Sequence, residues 1–302
     1  MTIQIDTAQV IEFSSQVDVA IQQTKPRLRP HVNMKKIQGR DGTHEGMGTI
    51  EMVEITSRHQ KTVGQDVAST RRRIRMREFR ATVYLDKFDE LSTIIGPNSQ
   101  YAKVLAYAAM RQFDALVVEA ALASVYTGKD MTTVVTAAAD GVATVDATSG
   151  LTREKIDEIQ ENFINSDTTT DDESTPVLFL CSGDEHTQLK AEVQFTSEDY
   201  VGDKPFVTGR LKQVNGMNVV LYGHKTNGNN ILKTSGSTRK CLAMTGGGMQ
   251  YAVEVGMLQD VAMDVNQRPD LNNLTQVQAS LFMGATRTQG PRVQLVNTTV
   301  GS

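Results

Sequence analysis

PNSQYAKVLAYAAMRQFDALVVEAALASVYTG, residues 97–128, is the stretch on which the fold turns. Pro97 precedes Asn98, a residue type favoured as helix N-cap because its short side chain accepts from the first unpaired N–H groups. Gly128 stands where a left-handed residue commonly ends a helix. A helix over 98–127 would be a rod of roughly 42 Å at about 1.5 Å per residue. It is rich in alanine, at 102, 106, 108, 109, 115, 120, 121 and 123. Its bulky apolar residues, Leu105, Phe113, Leu116, Val117 and Leu122, do not keep to one stripe. Such a helix is covered on more than one side, as a structural spine is. Arg111 and Asp114 are spaced to touch on one face, and a structural pair is expected there.

Upstream, residues 36–85 read as strand, loop and strand. The first strand is expected near Met47–Ile55, where apolar and polar residues alternate, and the second at Thr70–Leu85. The polar turn Ser57–Ala68 with Gly64 lies between. An isolated two-stranded excursion is marginal in water and calls for a second surface, most simply an adjacent subunit. Residues 1–35 read as an extended arm, because Lys25-Pro26-Arg27-Leu28-Arg29-Pro30 resists both helix and sheet interiors.

The sharpest charge feature is Arg71-Arg72-Arg73-Ile74-Arg75-Met76-Arg77. On a strand, Arg71, Arg73, Arg75 and Arg77 would line one face, with Ile74 and Met76 on the other. No aromatics interleave with them, so stacking on single-stranded nucleic acid is unsupported. Acidic patches of a neighbouring copy are the favoured partner, with a merely solvated face and a polyanion such as DNA as the lesser readings. The charge distribution agrees: the chain carries −4 overall, with +5 in residues 1–80 and −9 in the remainder.

Downstream, short strands are expected within 131–147 and an amphipathic helix over Leu151–Asn165 with Thr152 as N-cap. Pro176–Cys181 reads as a buried strand and Gly183–Val193 as a helix. A hairpin or bend is expected at Asn215-Gly216 within Val214–Tyr222. Leu242–Val255 reads as a strand pair broken by Gly246-Gly247-Gly248, and Gln276–Ala285 and Val293–Val296 as closing strands. Helices and strands mix without βαβ alternation, which argues for an α+β fold.

The 302 residues suffice for a sizeable core, and 39% hydrophobic with 22% charged residues is ordinary for a folded protein. There is no run of about 18 apolar residues that would span a membrane, and the start MTIQIDTAQVIEF lacks a secretory pattern. Cys181 and Cys241 form no metal motif and read as buried thiols. None of His31, His44, His59, His186 and His224 has two-ligand spacing, and His44 reads as exposed. Asp184-Glu185-His186 is better explained by acids favouring a helix N-terminus than by an acid–base cluster. Gly246-Gly247-Gly248 lacks the Lys-Ser/Thr of a phosphate loop and reads as a tight turn. The polar run 166–174 lacks calcium-loop spacing. No catalytic, metal or cofactor residues are expected.

Several stretches together resemble the major capsid proteins of tailed phages with the HK97 fold, in a podovirus-type form. They are Val83-Tyr-Leu-Asp-Lys-Phe-Asp89, Gly96-Pro-Asn-Ser-Gln-Tyr-Ala102, Ala109-Met-Arg-Gln-Phe-Asp114, Gly209–Val220, Leu281-Phe-Met-Gly-Ala-Thr-Arg287 and Pro291-Arg-Val-Gln-Leu295. Each is weak alone, and their order is fairly specific. The resemblance implies an N-terminal arm (1–35), an extended E-loop hairpin (36–85), a P-domain with the spine helix (86–147), an A-domain (148–260) and a C-terminal return to the P-domain (261–302). It implies hexamers and pentamers of an icosahedral shell around double-stranded DNA, assembled in the host cytoplasm. A separate scaffold protein, or an already processed start, is implied, and a portal and a decoration protein are further implied partners. An encapsulin-like nanocompartment shell shares the fold. A small-molecule enzyme is the alternative of another class, with no polar constellation behind it.

Overall fold

The structure, a computed structural model, describes residues 23–61, 64–85, 97–168, 176–191, 209–223, 231–232, 234–247 and 250–299. Most of the expected arm, His224, Gly248, residues 86–89 and 96, and most of the polar run 166–174 lie outside the described residues.

Helix α1 (Pro97–Leu122) lies against a four-stranded sheet ordered β1 (Asn33–Lys36), β13 (Val253–Arg268), β14 (Leu274–Arg287), β4 (Arg77–Leu85). Strands β13 and β14 form a long antiparallel hairpin, with β4 antiparallel to β14. At its tip Asn272 and Asn273 take left-handed φ angles of 55° and 56°, which asparagine tolerates better than most residues. Leu105 packs with Leu85, Val277 and Ala279, while Phe113, Leu116, Val117, Val118 and Ala121 enter the main core. The helix thus serves two cores in succession, which is why its apolar residues wander around it.

The second lobe is a seven-stranded sheet ordered β7 (Ala143–Ala147), β15 (Val293–Thr299), β12 (Thr238–Thr245), β8 (Val177–Ser182), β10 (Met217–Tyr222), β9 (Gln213–Val214), with β11 (Thr234–Ser235) on β12. Every residue of β8 is buried. It is a central strand covered on both faces, so it shows no alternation. Helix α2 (Arg153–Asn165) buries Ile156, Ile159 and Phe163, with Thr152 at its N-cap. Helix α3 (Gly183–Ala191) follows β8 directly. Asn215 and Gly216 have φ angles of 48° and 77°, the paired positive values of a type I′ hairpin turn.

A third sheet runs β2 (Asp41–Met47), β3 (Ser69–Arg75), β5 (Val125–Thr127), β6 (Thr133–Val135). Strands β2 and β3 form a ribbon whose far end opens into residues 48–61 and 64–68, which hold no regular pairing.

Three expectations are corrected. The first ribbon strand is Asp41–Met47, not Met47–Ile55, because β3 pairs with the residues before the alternating stretch. Pro97 already belongs to helix α1, so Asn98 lies inside it. It stops at Leu122, because the β-prone Val125-Tyr126-Thr127 joins β3 and β6, and Gly128 (φ 94°) turns the β5–β6 hairpin instead. The sheets draw together strands far apart in sequence. Strands β7 and β15 both belong to the seven-stranded sheet, and β13 joins the α1 sheet from Val253 onward.

Two glycines permit the approach of these parts. A Cβ on Gly284 would sit 2.2 Å from the Arg75 carbonyl oxygen, and one on Gly290 would sit 1.9 Å from that of Asp140. Gly290→Ala is expected to destabilise the subunit by about 1–3 kcal/mol through forced backbone displacement. A thermal melt no lower than that of the unmodified chain would refute this close approach.

Candidate assembly interface

The arginine run divides between two environments. Arg71, Arg73 and Arg75 share the outer face of β3, as alternation dictates, while Arg72 and Ile74 are buried on the other. The strand breaks at Met76, whose N–H donates to the Arg40 carbonyl, so Arg77 belongs to β4. Arg71 pairs with Glu45 at 2.7 Å. Arg73 grips Asp41 in a fork with bonds of 2.8 and 2.7 Å. Arg77 forks onto Glu119 of α1 and lies 5.4 Å from the Phe79 ring. Arg75 and Arg40 are exposed and have no ion pair among the described residues. These arginines and Glu119 line a cleft of about 530 Å³ floored by Leu116, Ala120 and Val125.

Beneath the ribbon lies a buried ionic node. Arg72 donates to both Asp140 oxygens, at 2.8 and 2.7 Å, and to the Arg287 carbonyl at 3.3 Å. Arg287 donates from Nε to Asp140 at 2.8 Å and from one terminal nitrogen to the carbonyls of Ala121 and Ala123 at 2.8 and 3.0 Å. Burial pushes the Asp140 pKa up, but the bonds from Arg72 and Arg287 outweigh it and hold the carboxyl below its ordinary range. Sequence reasoning missed both Arg72 and Asp140. The Gly284-Ala-Thr-Arg287 stretch, the end of β14, was visible as a motif, though not as the place where the cation is buried.

Arg111 and Asp114 do not form the expected pair. The Asp114 carboxylate faces inward, accepting from the backbone N–H groups of Arg27 and Leu28 at 2.9 and 3.2 Å. It also accepts from Gln23 at 2.5 Å and the Tyr222 hydroxyl at 3.0 Å. Burial raises its pKa, against those four bonds. The aspartate therefore fastens the end of the arm and β10 to α1.

The remaining polar groups are structural. Glu185 is fully buried. It receives Arg239 at 2.8 Å, the Thr298 hydroxyl at 2.8 Å, and both the N–H and hydroxyl of Ser182. An acidic first turn of α3 was expected, but this buried pair was not. His186 accepts from the Leu211 N–H at 3.0 Å, and burial holds its pKa down. His44, expected to be exposed, lies 2.6 Å from the buried Glu254 carboxylate and is 21% exposed. Cys181 and Cys241 are buried, and burial pushes the Cys241 thiol up to about 12, which leaves it unreactive.

The ribbon end differs from the rest of the surface. Met47, Ile50, Met52, Val53 and Ile55 are between 55% and 102% exposed. Large apolar side chains clustered in the open mark an interaction surface.

The sequence matches the family model described as phage capsid protein over residues 5–299. The chain belongs to that family and is a structural protein of the virion capsid. Its fold is similar to the chain in the capsid structure of cyanophage P-SCSP1u, with TM-score 0.71, 13% identity, and 98% of this chain and 94% of that one covered. The capsid of Helicobacter pylori bacteriophage KHP30 gives 0.71, 11%, 99% and 98%. Cyanophage Pam1 gives 0.70, 14%, 97% and 97%. No curated protein matches the sequence. The α+β architecture is thus of the HK97-like kind.

Asp140→Asn leaves two buried guanidiniums without their carboxylate and is expected to cost about 3–5 kcal/mol. Because the folded Asp140 pKa is lowered, its stabilisation is present above the unfolded carboxylate pKa. It is lost as pH falls through the folded value. Urea melts across the acid range test both points. A variant as stable as the unmodified chain at pH 7 would remove the node from the fold's support.

Proposed function

We propose that this capsid protein is the shell-forming subunit, assembling as hexamers and pentamers into an icosahedral shell that encloses double-stranded DNA. The observation that carries the reading is the ribbon: a two-stranded excursion with five exposed large apolar residues at its end, and at its base Arg40 and Arg75, exposed and without an ion pair among the described residues. A ribbon of this kind gains its stability from neighbours. Head-to-tail contacts that close by rotation give rings.

In this reading the β2–β3 ribbon is the E-loop, α1 with its sheet is the P-domain, and the seven-stranded lobe is the A-domain. Arg71, Arg73, Arg75 and Arg77 serve contacts between subunits, with Arg75 the most available. A separate scaffold, a portal and a decoration protein complete the particle, which is assembled in the host cytoplasm. The packaged DNA is met by non-specific contacts.

Expression of the chain with its scaffold, followed by electron microscopy and sedimentation, tests the reading, with closed shells expected. The double variant Arg73→Glu with Arg75→Glu is expected to abolish or strongly reduce shells while the subunit keeps its circular dichroism. Normal shells from that variant would count against the arginine contacts, and a stable monomer from the unmodified chain against the shell itself.

A further inference from the structure

The stretch Thr49-Ile50-Glu51-Met52-Val53-Glu54-Ile55 has the composition of a strand but pairs with no strand among the described residues. Elsewhere in the molecule a strand edge stands open. Strand β4 pairs with β14 along its whole length, Arg77 to Leu85, and ends its sheet, with no strand on its outer side among the described residues. Beside that edge lies a groove of about 320 Å³. Its apolar walls are Phe79 and Ala81 of β4, Leu105, Ala108 and Ala109 of α1, and Ala279 and Leu281 of β14, and the polar Glu78, Arg80 and Gln112 also line it. An open edge is a template for a further strand, and a groove alongside gives the alternate side chains of that strand a place to go.

We propose that residues 49–55 of a second copy add to the free edge of β4 as an antiparallel strand, with Ile50 opposite Ala81, Met52 opposite Phe79 and Glu54 opposite Arg77. This register rests on the shell reading above, since it requires another copy. Charge and apolarity select it together. Along β4, Arg77, Phe79, Ala81 and Val83 point to the α1 side, while Glu78, Arg80, Thr82 and Tyr84 point outward. Placed antiparallel, Ile50 and Met52 enter the apolar groove while Glu54 meets Arg77. On the outer face Glu51 meets Arg80. Both glutamates fall opposite arginines, and both groove-side apolar residues fall over apolar walls. A slip by one residue would turn Ile50 and Met52 to solvent and set Glu51 over the groove.

The segment's own chain does not offer this edge readily. The segment follows β2 at the Ser69 end of the ribbon, whereas β4 continues from the Arg75 end of β3. The ribbon between spans about seven residues, roughly 23 Å at about 3.3 Å each. A neighbouring copy supplies the edge without the segment doubling back on its ribbon.

The test is a cross-link in assembled shells. Thr49 and Thr82 face each other on the outer side of the proposed pair, and both are exposed in the subunit. Thr49→Cys with Thr82→Cys, oxidised after assembly, is expected to give a ladder of covalent oligomers on denaturing gels. Thr49→Cys with Glu78→Cys, four positions along the strand, is expected to give none. Hydrogen exchange on the unmodified chain needs no substitution: amides 50–55 and the β4 edge should exchange at least roughly tenfold more slowly in shells than in isolated subunits. Shells that form without the Thr49–Thr82 ladder and with 50–55 exchanging as in the subunit would overturn the proposal and leave the shell reading intact. Protection of β4 alone, with residues 1–22 protected in place of 50–55, would overturn it in favour of the arm as occupant. Absence of any shell from the unmodified chain would instead strike the shell reading.

Discussion

A single carboxylate, Asp140, sits between two buried guanidiniums, and the geometry of the subunit follows from how that imbalance is resolved. Two cations against one anion would leave an uncompensated buried charge, which proteins rarely sustain. Arg287 resolves it by donating to the carbonyls of Ala121 and Ala123 at the end of α1. Those carbonyls carry the partial negative charge of a helix C-terminus, so the helix supplies the anion the side chains lack. The result joins the base of the ribbon through Arg72, the end of the spine, the β6–β7 connection and the close of β14. Gly284 and Gly290 let the backbones approach closely enough for these bonds to form.

Asp114 does the corresponding work midway along the same helix. It binds two backbone N–H groups of the arm and the Tyr222 hydroxyl of the second lobe. The spine is therefore fixed at two places by carboxylates, each joining pieces far apart in sequence. Before Asp114 the helix passes from the smaller core, which Leu105 enters, to the main core, which Phe113 enters. Its lack of a single apolar stripe is a consequence of this double duty.

Local order was legible in the sequence where local chemistry decides it. Thr152 before an amphipathic run, Asn215-Gly216 between strands, and the unbroken apolar run to Cys181 each declared their element. The α1 signal was equally clear, but its end was not, because Val125–Thr127 becomes a strand only by pairing with β3. Strand partners were likewise hidden. Nothing near Val293 says that it will lie between β7 and β12, since that choice is made by tertiary packing. Partners of buried charges were the least legible. Asp114 has an arginine three residues away, and helical spacing favours that pair, yet the buried amides of the arm take the carboxylate. Arg72 looks like its neighbours in the run, and only the alternation of β3 places it inside.

The misassigned strand at 47–55 carries a separate lesson. Its alternation is the pattern of a strand, but the residues that pair with β3 are Asp41–Met47, and 48–55 hold no strand. Within one chain the ladder of β2 and β3 closes at Met47 and Ser69, and the residues beyond leave Ile50, Met52, Val53 and Ile55 more than half exposed. Strand propensity is largely the fit of side chains to a pleated surface, so a segment without that surface keeps its pattern but not its structure. For a protein whose work is assembly, this is a sign of where the chain is incomplete. The rigid parts are those fixed by Asp140 and Asp114, and the unsatisfied part is carried on the ribbon those residues hold in place. A subunit built this way presents its open segment from a fixed base, so the entropy lost on assembly is confined to the segment itself.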